Sequence, residues 1–486
     1  MIPTTARQLR SALGLVTLAT LAACDSTDPP QPNPCTVTPG SCSANLSADI
    51  TSSRTLRKDT VYTLTSYVHV TGAGTVLTIE PGTTIKGALN SALFILKGAR
   101  IEASGTAAQP IVFTSDQPVG SRKPGDWGGL ILVGNGIINR SGTVDLEGTG
   151  SSTANYVVPY SGGTSNSDNS GTLRYVRVEF AGFGVAANQE LNSFTFAAVG
   201  SGTTLEYLEA LAGLDDSYEW FGGAVDAKYL VSYESGDDHF DSSEGHVGRN
   251  QFLIAFQSLI LPPRAGSGVA SADPQGFEVD GCGSATGSGC TLGFNSAPLN
   301  IPLFANFTIV GTGVNTDVAA TSGGIGFLLR RGTGGYYANG IIARWPRAAI
   351  SLRDTETNTR FTNGEAIVNN LYVVETGSTA GTNAPVFETG TGRFTIDATA
   401  NNIVSAAGTV TAAQIFTALP ATPTNAAALD WSLPAGNAAA TGGTGAFTGA
   451  MLTKGGTFVT GTTYRGAADP AAATKWWTGW TYYARN

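Results

Sequence analysis

Charge is scarce in this chain, and basic charge scarcer still. Only 13% of its residues are charged, with 27 Lys and Arg against 36 Asp and Glu, for a net charge of −9. No basic stripe exists to meet a phosphate backbone, so nucleic acid is excluded as a partner. There are 2 methionines and three histidines, His69, His239 and His246. No P-loop, dinucleotide fingerprint, haem motif or G-x-S-x-G elbow occurs, so a Ser-His-Asp set would lack its usual frame. The apolar run Leu13 to Leu21 is too short to span a bilayer as a mature helix. Long helices have little room either, because the residues in excess are Gly (63), Thr, Ser, Ala and Asn, which suit tight turns and strands.

What is present is a repeat. LDDSYEWFGG (Leu214 to Gly223) and GDDHFDSSEG (Gly236 to Gly245) align without a gap, with Asp215 and Asp237, Asp216 and Asp238, and Glu219 and Asp241 each 22 apart. Flanking strand patterns keep that step, from Tyr207 to Tyr229, then to Phe252 after 23. A β-rich repeat of this length predicts a solenoid with one coil per repeat. Equivalent residues then stack about 4.8 Å apart. Asp215, Asp216, Glu219, Asp237, Asp238, Asp241 and Glu244 would form a wall of carboxylates. The only basic residue between Leu214 and Gly245 is Lys228.

The N-terminus points to export. Arg7 and Arg10 precede the apolar run, which ends in Leu21-Ala22-Ala23-Cys24. This leader resembles a bacterial lipoprotein signal, which implies cleavage after residue 23 and a lipid anchor on Cys24. An ordinary signal peptide with a chance Cys is the alternative. The expected location is the cell envelope, at the outer membrane or cell surface, although Asp25 leaves the leaflet open. Residues 24–45 read as a Pro-rich tether. Four cysteines remain, in two close pairs, Cys35 with Cys42 and Cys282 with Cys290, as expected of disulfides in an oxidising compartment. Metal binding by these cysteines is the weaker reading, since neither pair has C-x-x-C spacing.

From residue 46 to 486 the chain reads as a single domain. The segment from Leu77 to Ser115, with "LTIEPGTTIKG" and "GARIEASGTAAQPIVFTS", resembles right-handed parallel β-helix proteins of the pectate-lyase-like superfamily. That resemblance implies an all-β, right-handed parallel β-helix solenoid. The fold hosts lyases, hydrolases, adhesins and inert surface proteins alike, so it assigns no function. Trp127 reads as a core or corner residue. Insertions loop out near 140–170 and 261–298, where periodicity is lost. Asn306, Asn339, Asn369 and Asn401 recur at steps of 33, 30 and 32 and read as corner residues, because Asn tolerates a left-handed backbone. The aromatic ending, with Trp476, Trp477 and Trp480, reads as a cap on the open end of the solenoid. A ligand-stacking platform for sugars is its rival.

Clustered carboxylates raise one another's pKa or take a cation between them, and Ca²⁺ accepts such irregular oxygen sets. A solvated acidic turn and a catalytic acid pair are the alternatives to Ca²⁺. Gly236-Asp237-Asp238 with Gly245-His246 resembles a polygalacturonase motif, but the gap is much too short. Arg249, Lys228 and His246 are the bases a calcium-dependent lyase could draw on. Glu219 to Gly245 and Tyr464 to Trp480 resemble regions of bacterial surface lipoproteins of unassigned activity. Three functions follow as expectations. The first is a non-catalytic binding or display protein for a glycan or an envelope-protein partner. The second is a polysaccharide lyase or glycoside hydrolase acting on an acidic glycan, and the third is a structural envelope component. A cleft joining the acidic wall to Arg or Lys would favour the enzyme; a flat wall would favour binding or structure.

Overall fold

The computed structural model describes residues 42–149, 157–186, 189–271, 273–283, 289–314, 318, 323–377 and 386–486. The proposed signal peptide, Cys24 and Cys35 lie outside these residues. The first strand, Cys42–Leu46, begins slightly ahead of the expected boundary, and Cys42 is itself in a disulfide. Cys282 and Cys290 are joined as expected.

The described chain winds as a right-handed parallel β-helix with three strands per coil. Short strands with alternating burial, such as Thr60–Leu64 and Val76–Ile79, build the first coils. In the central coils two strands fuse into one long bent strand, as in Gly171–Glu179, Thr204–Leu211, Asp226–Tyr233 and Arg249–Phe256. Each pairs in parallel with its neighbour on both sides of the bend. The bend is made by one residue with positive φ, and these form a column: Tyr175, Tyr207, Tyr229 and Phe252, then Asn306, Asn339, Asn370 and Asn402. Bulky rings rarely adopt that conformation. Here they stack on one another at 4.3, 4.4 and 5.1 Å, which offsets the strain. The corner therefore uses Asn370 and Asn402, one residue beyond the expected Asn369 and Asn401. The amide of Asn402 donates to Asn370 at 2.9 Å, so the ladder exists in the later coils with a one-residue shift.

The third face runs through Leu130–Val133, Phe194–Ala197, Tyr218–Phe221, Phe240–Ser243, Gln275–Asp280, Ile325–Arg330 and Ala348–Arg353. Its inward residues make an aromatic tower, Phe194, Tyr218, Phe240, Phe277 and Phe327, with successive centroids 5.1 to 5.5 Å apart. Trp127 is fully buried in the same core. The second expected insertion is corrected here. It is two loops with a coil strand, Gln275–Asp280, between them, and the stretch before that strand is too polar and Gly-rich to announce its return. The first insertion, between Val133 and Gly171, carries a small hairpin of Val144–Asp145 and Pro159–Tyr160 that lies against the third face.

The aromatic ending is a strap along the flank, which replaces the expected end cap. From the last coil the chain runs back beside the corner column. Asn370 bonds Thr444, Asn306 bonds Thr462, and Gln251 bonds Thr460. Trp476 then packs on Tyr229, and Trp480 sets its edge against Tyr207 and Tyr175. Trp477 and Trp480 are buried, together with the outer residues Leu211, Val231, Tyr233 and Phe256 of the fused strands. A strap wins over a cap because those fused strands present a second apolar face outward, which water would otherwise meet.

Candidate functional site

The third face carries its acids in register. Glu219 pairs with Asp241, and Asp241 with Glu278, on three successive strands whose inward neighbours are the aromatic tower. Alternation along a strand places these carboxylates on the outer side. Gly222 and Gly223 follow with positive φ, and a side chain at Gly223 would press into the Val199 backbone. The FGG sequence therefore makes the turn that ends this strand.

Asp216 and Asp238 have a second use. The N–H of Asp216 donates to the Asn192 side chain, that of Asp238 to Asp216 Oδ1 at 2.8 Å, and that of Gln275 to Asp238 Oδ1. Gln275 in turn accepts from the Ile325 N–H. These four side chains satisfy backbone donors from coil to coil, so half of each aspartate is committed to the fold.

Among the described residues, three sets of carboxylates bring one oxygen each within 4.8 Å of the others: Asp215, Asp216 and Asp237; Asp216, Glu219 and Asp241; and Asp238, Asp241 and Glu278. Burial first, then mutual repulsion, holds Asp215, Asp216, Glu219, Asp238 and Asp241 well above the ordinary carboxylate range. Asp237 is pushed up to about 7 and Glu278 to about 8, in both cases mainly by burial. Glu147 reaches in from the hairpin loop, where desolvation and the neighbouring carboxylates raise it to about 7, and its hydrogen bond to Glu219 offsets part of that rise. Asp237 and Asp241 each keep a buried oxygen, Oδ1, with no hydrogen-bond partner among the described residues.

Wall and hairpin enclose a cleft of about 400 Å³, lined by Glu147, Glu219, Asp241, Glu278, Asp280 and Arg331 among others. Its cations come from outside the acidic repeat. Arg330 bridges Glu278 and Asp280, Arg331 pairs with Asp280 at 2.5 Å, and Arg140 pairs with Glu244. Glu244 also accepts from the Tyr160 hydroxyl at 2.5 Å, and it joins none of the three oxygen sets. Of the seven expected wall residues, six therefore converge and Glu244 is taken up by the hairpin.

Sequence reasoning missed Glu147, Glu278, Asp280, Arg140, Arg330 and Arg331. Glu278 and Asp280 sit one coil on from Asp241 and Ser243, but the loop between them lengthens that coil beyond the 22-residue step. The candidate bases are elsewhere. Arg249 and Lys228 lie on the bent face, with Arg249 held by Asp226. His246 is buried, and burial pushes it down to about 3. His239 is likewise buried beside Ser232 and pushed to about 3. Both are core residues.

Stacked parallel coils with an acidic cleft on one flank define the class: a three-faced parallel β-helix. More particularly, the chain belongs to the family of pectate-lyase-like β-helix domains, which matches residues 48–423. No curated protein and no solved structure matches it.

Proposed function

We propose that this chain is an exported, envelope-anchored β-helix whose acidic cleft binds Ca²⁺ and presents it to a glycan or protein ligand. The observation that carries this reading is the in-register stack of Glu219, Asp241 and Glu278, with neighbouring oxygens within 4.8 Å. The seven crowded carboxylates of the three oxygen sets need either protons or a metal at neutral pH. The arginines nearby are spent on Asp280, Glu278 and Glu244. Asp241 would be shared between two oxygen sets, and its unpartnered oxygen is available as a ligand.

Bound Ca²⁺ stabilises the folded chain by mass action, by about 2.7 kcal/mol at about a hundred times its dissociation constant. Chelator is expected to lower the melting temperature of the purified protein by a few degrees, and Ca²⁺ to restore it. Mg²⁺ should restore less, because it demands a tighter octahedral shell. Asp241→Asn, which keeps the shape and removes the charge, should erase the difference. Identical melting in chelator and in millimolar Ca²⁺ would sink the proposal.

One observation favours catalysis as a second reading. The wall lies in a cleft and shares it with Arg140 and Arg331, where a flat acidic surface would have spoken for display alone. An eliminative lyase acting on an acidic glycan would produce an unsaturated product that absorbs in the ultraviolet. Absorbance should then rise with polygalacturonate in the presence of Ca²⁺ and stay flat with Arg331→Gln. A flat trace across a panel of acidic glycans would leave the binding reading alone.

A further inference from the structure

We infer that a second, separate site on the flank, the aromatic pocket beside Tyr229 and Phe252, binds one neutral pyranose unit of a glycan. The corner column supplies its floor. Trp480 covers Tyr175 and Tyr207, and Trp476 leans on Tyr229. Among the described residues, Phe252 stacks on Tyr229 and on no ring of the strap. At that point a pocket of about 220 Å³ opens between the column and the strap, with Tyr464 and Trp477 in its walls and Asp469 at its rim.

Size, surface and charge each narrow the ligand. The volume falls below the roughly 300–1,000 Å³ of a drug-sized site, which suits a single ring. A pyranose has an apolar C–H face that fits flat aromatic surface, and hydroxyls that need donors and acceptors. Trp477 is 3% exposed, and its indole N–H has no partner among the described residues. A buried donor left so is costly, and a sugar hydroxyl would satisfy it. Asp469 is exposed and offers a carboxylate acceptor. Among the described residues the one cation lining the pocket, Lys475, is tied to Asp430. A uronate or sulfate would therefore meet Asp469 with no free positive charge to balance it, and a neutral sugar is preferred. This site stands apart from the acidic cleft and needs no metal. The strap fills the rest of the column, so Trp477 and Trp480 cannot form the stacking platform that their sequence suggests; Trp476 alone keeps a half-buried face there.

The test is a tryptophan-fluorescence titration of the full chain in chelator, with methyl β-glucoside, methyl β-galactoside and galacturonate as probes. Saturable quenching by a neutral glycoside, with galacturonate weaker, is the expected result. Phe252→Leu removes the ring and keeps the bulk, and it should weaken binding about tenfold. Asp469→Asn keeps the acceptor that caps the Ala471 N–H, so it should leave the melting temperature unchanged while weakening sugar binding. No saturable response to either neutral glycoside, stronger binding of galacturonate, or wild-type affinity in both variants would each overturn the inference. Because chelator is present throughout, a failure here is distinct from failure of the calcium reading.

Discussion

Chelated protein is expected to lose stability steadily as the pH rises from about 5 to 8, and Ca²⁺ to flatten that fall. Eight carboxylates of the cleft and the wall beside it, Glu147, Asp215, Asp216, Glu219, Asp237, Asp238, Asp241 and Glu278, have raised pKa values in the fold. In the unfolded chain such groups titrate near 4. A raised folded value means that the folded state holds the proton more tightly. Their contribution is fully present below about pH 4 and is lost as the pH climbs through 7 for Asp237 and 8 for Glu278.

Two groups act the other way within this window. His239 and His246 are depressed to about 3, so their contribution is present above their unfolded value and lost on acidification. Eight groups outnumber two. Holding one proton tenfold more tightly in the fold is worth about 1.4 kcal/mol, before solvent screening at exposed positions such as Glu147. The net slope is therefore downward, by several kcal/mol in total. A metal that replaces the protons offsets this fall, so the Ca²⁺ effect on melting should be small at pH 5 and large at pH 8. Melting curves at both pH values, with and without chelator, measure this directly. A chelated protein whose stability is flat or rises over that range would mean that the carboxylates splay into water.

Phe277→Ala should be the most damaging single change in the core. The ring lies within 5.0 to 5.2 Å of Phe240, Phe304, Phe307 and Phe327, and so joins adjacent coils and opposite faces. Truncating a buried Phe to Ala costs about 3–5 kcal/mol, partly in lost transfer energy and partly in the cavity left behind. In a solenoid each coil is held only by its neighbours, so the loss falls on the two interfaces of this coil. The same strand presents Glu278 and Asp280 to the cleft, so Ca²⁺ affinity should fall as well. Phe277→Leu should cost distinctly less, since it refills most of the space. Chemical denaturation of the three proteins gives the comparison, and a loss under about 1 kcal/mol for the alanine variant would contradict the tower as described.

The sequence made the solenoid legible because each coil repeats its own register. Tyr207, Tyr229 and Phe252 mark the same corner, and Asp215 to Gly223 and Asp237 to Gly245 mark the same turn. Where the coil length held at 22, the wall could be placed residue by residue. Where a loop swelled before Gln275, the period broke, and Glu278 and Asp280 vanished into an apparent insertion. The arginines were hidden for a different reason. Arg330 and Arg331 come from a later coil, and Arg140 from the excursion, so local charge counting between Leu214 and Gly245 could not find them. The shift from Asn369 and Asn401 to Asn370 and Asn402 has a simpler origin. Both members of each Asn-Asn pair suit a left-handed corner, and only strand register chooses between them.

The strap imposes an order on how the molecule comes together. Coils can stack in sequence as the chain is made, since each strand pairs with its counterpart one coil earlier. The flank of the central coils cannot close in that way. Glu209 accepts from the Tyr482 N–H across 273 residues, Arg177 donates to Trp480 across 303, and Tyr483 donates to Glu234 across 249. Until those residues arrive, Leu211, Val231 and Phe256 stand open to water, and Glu209 and Glu234 lack these partners. Contacts of such sequence separation form slowly. The half-made protein thus shows a sticky apolar side for the time it takes to synthesise more than two hundred residues, an interval in which it is open to aggregation.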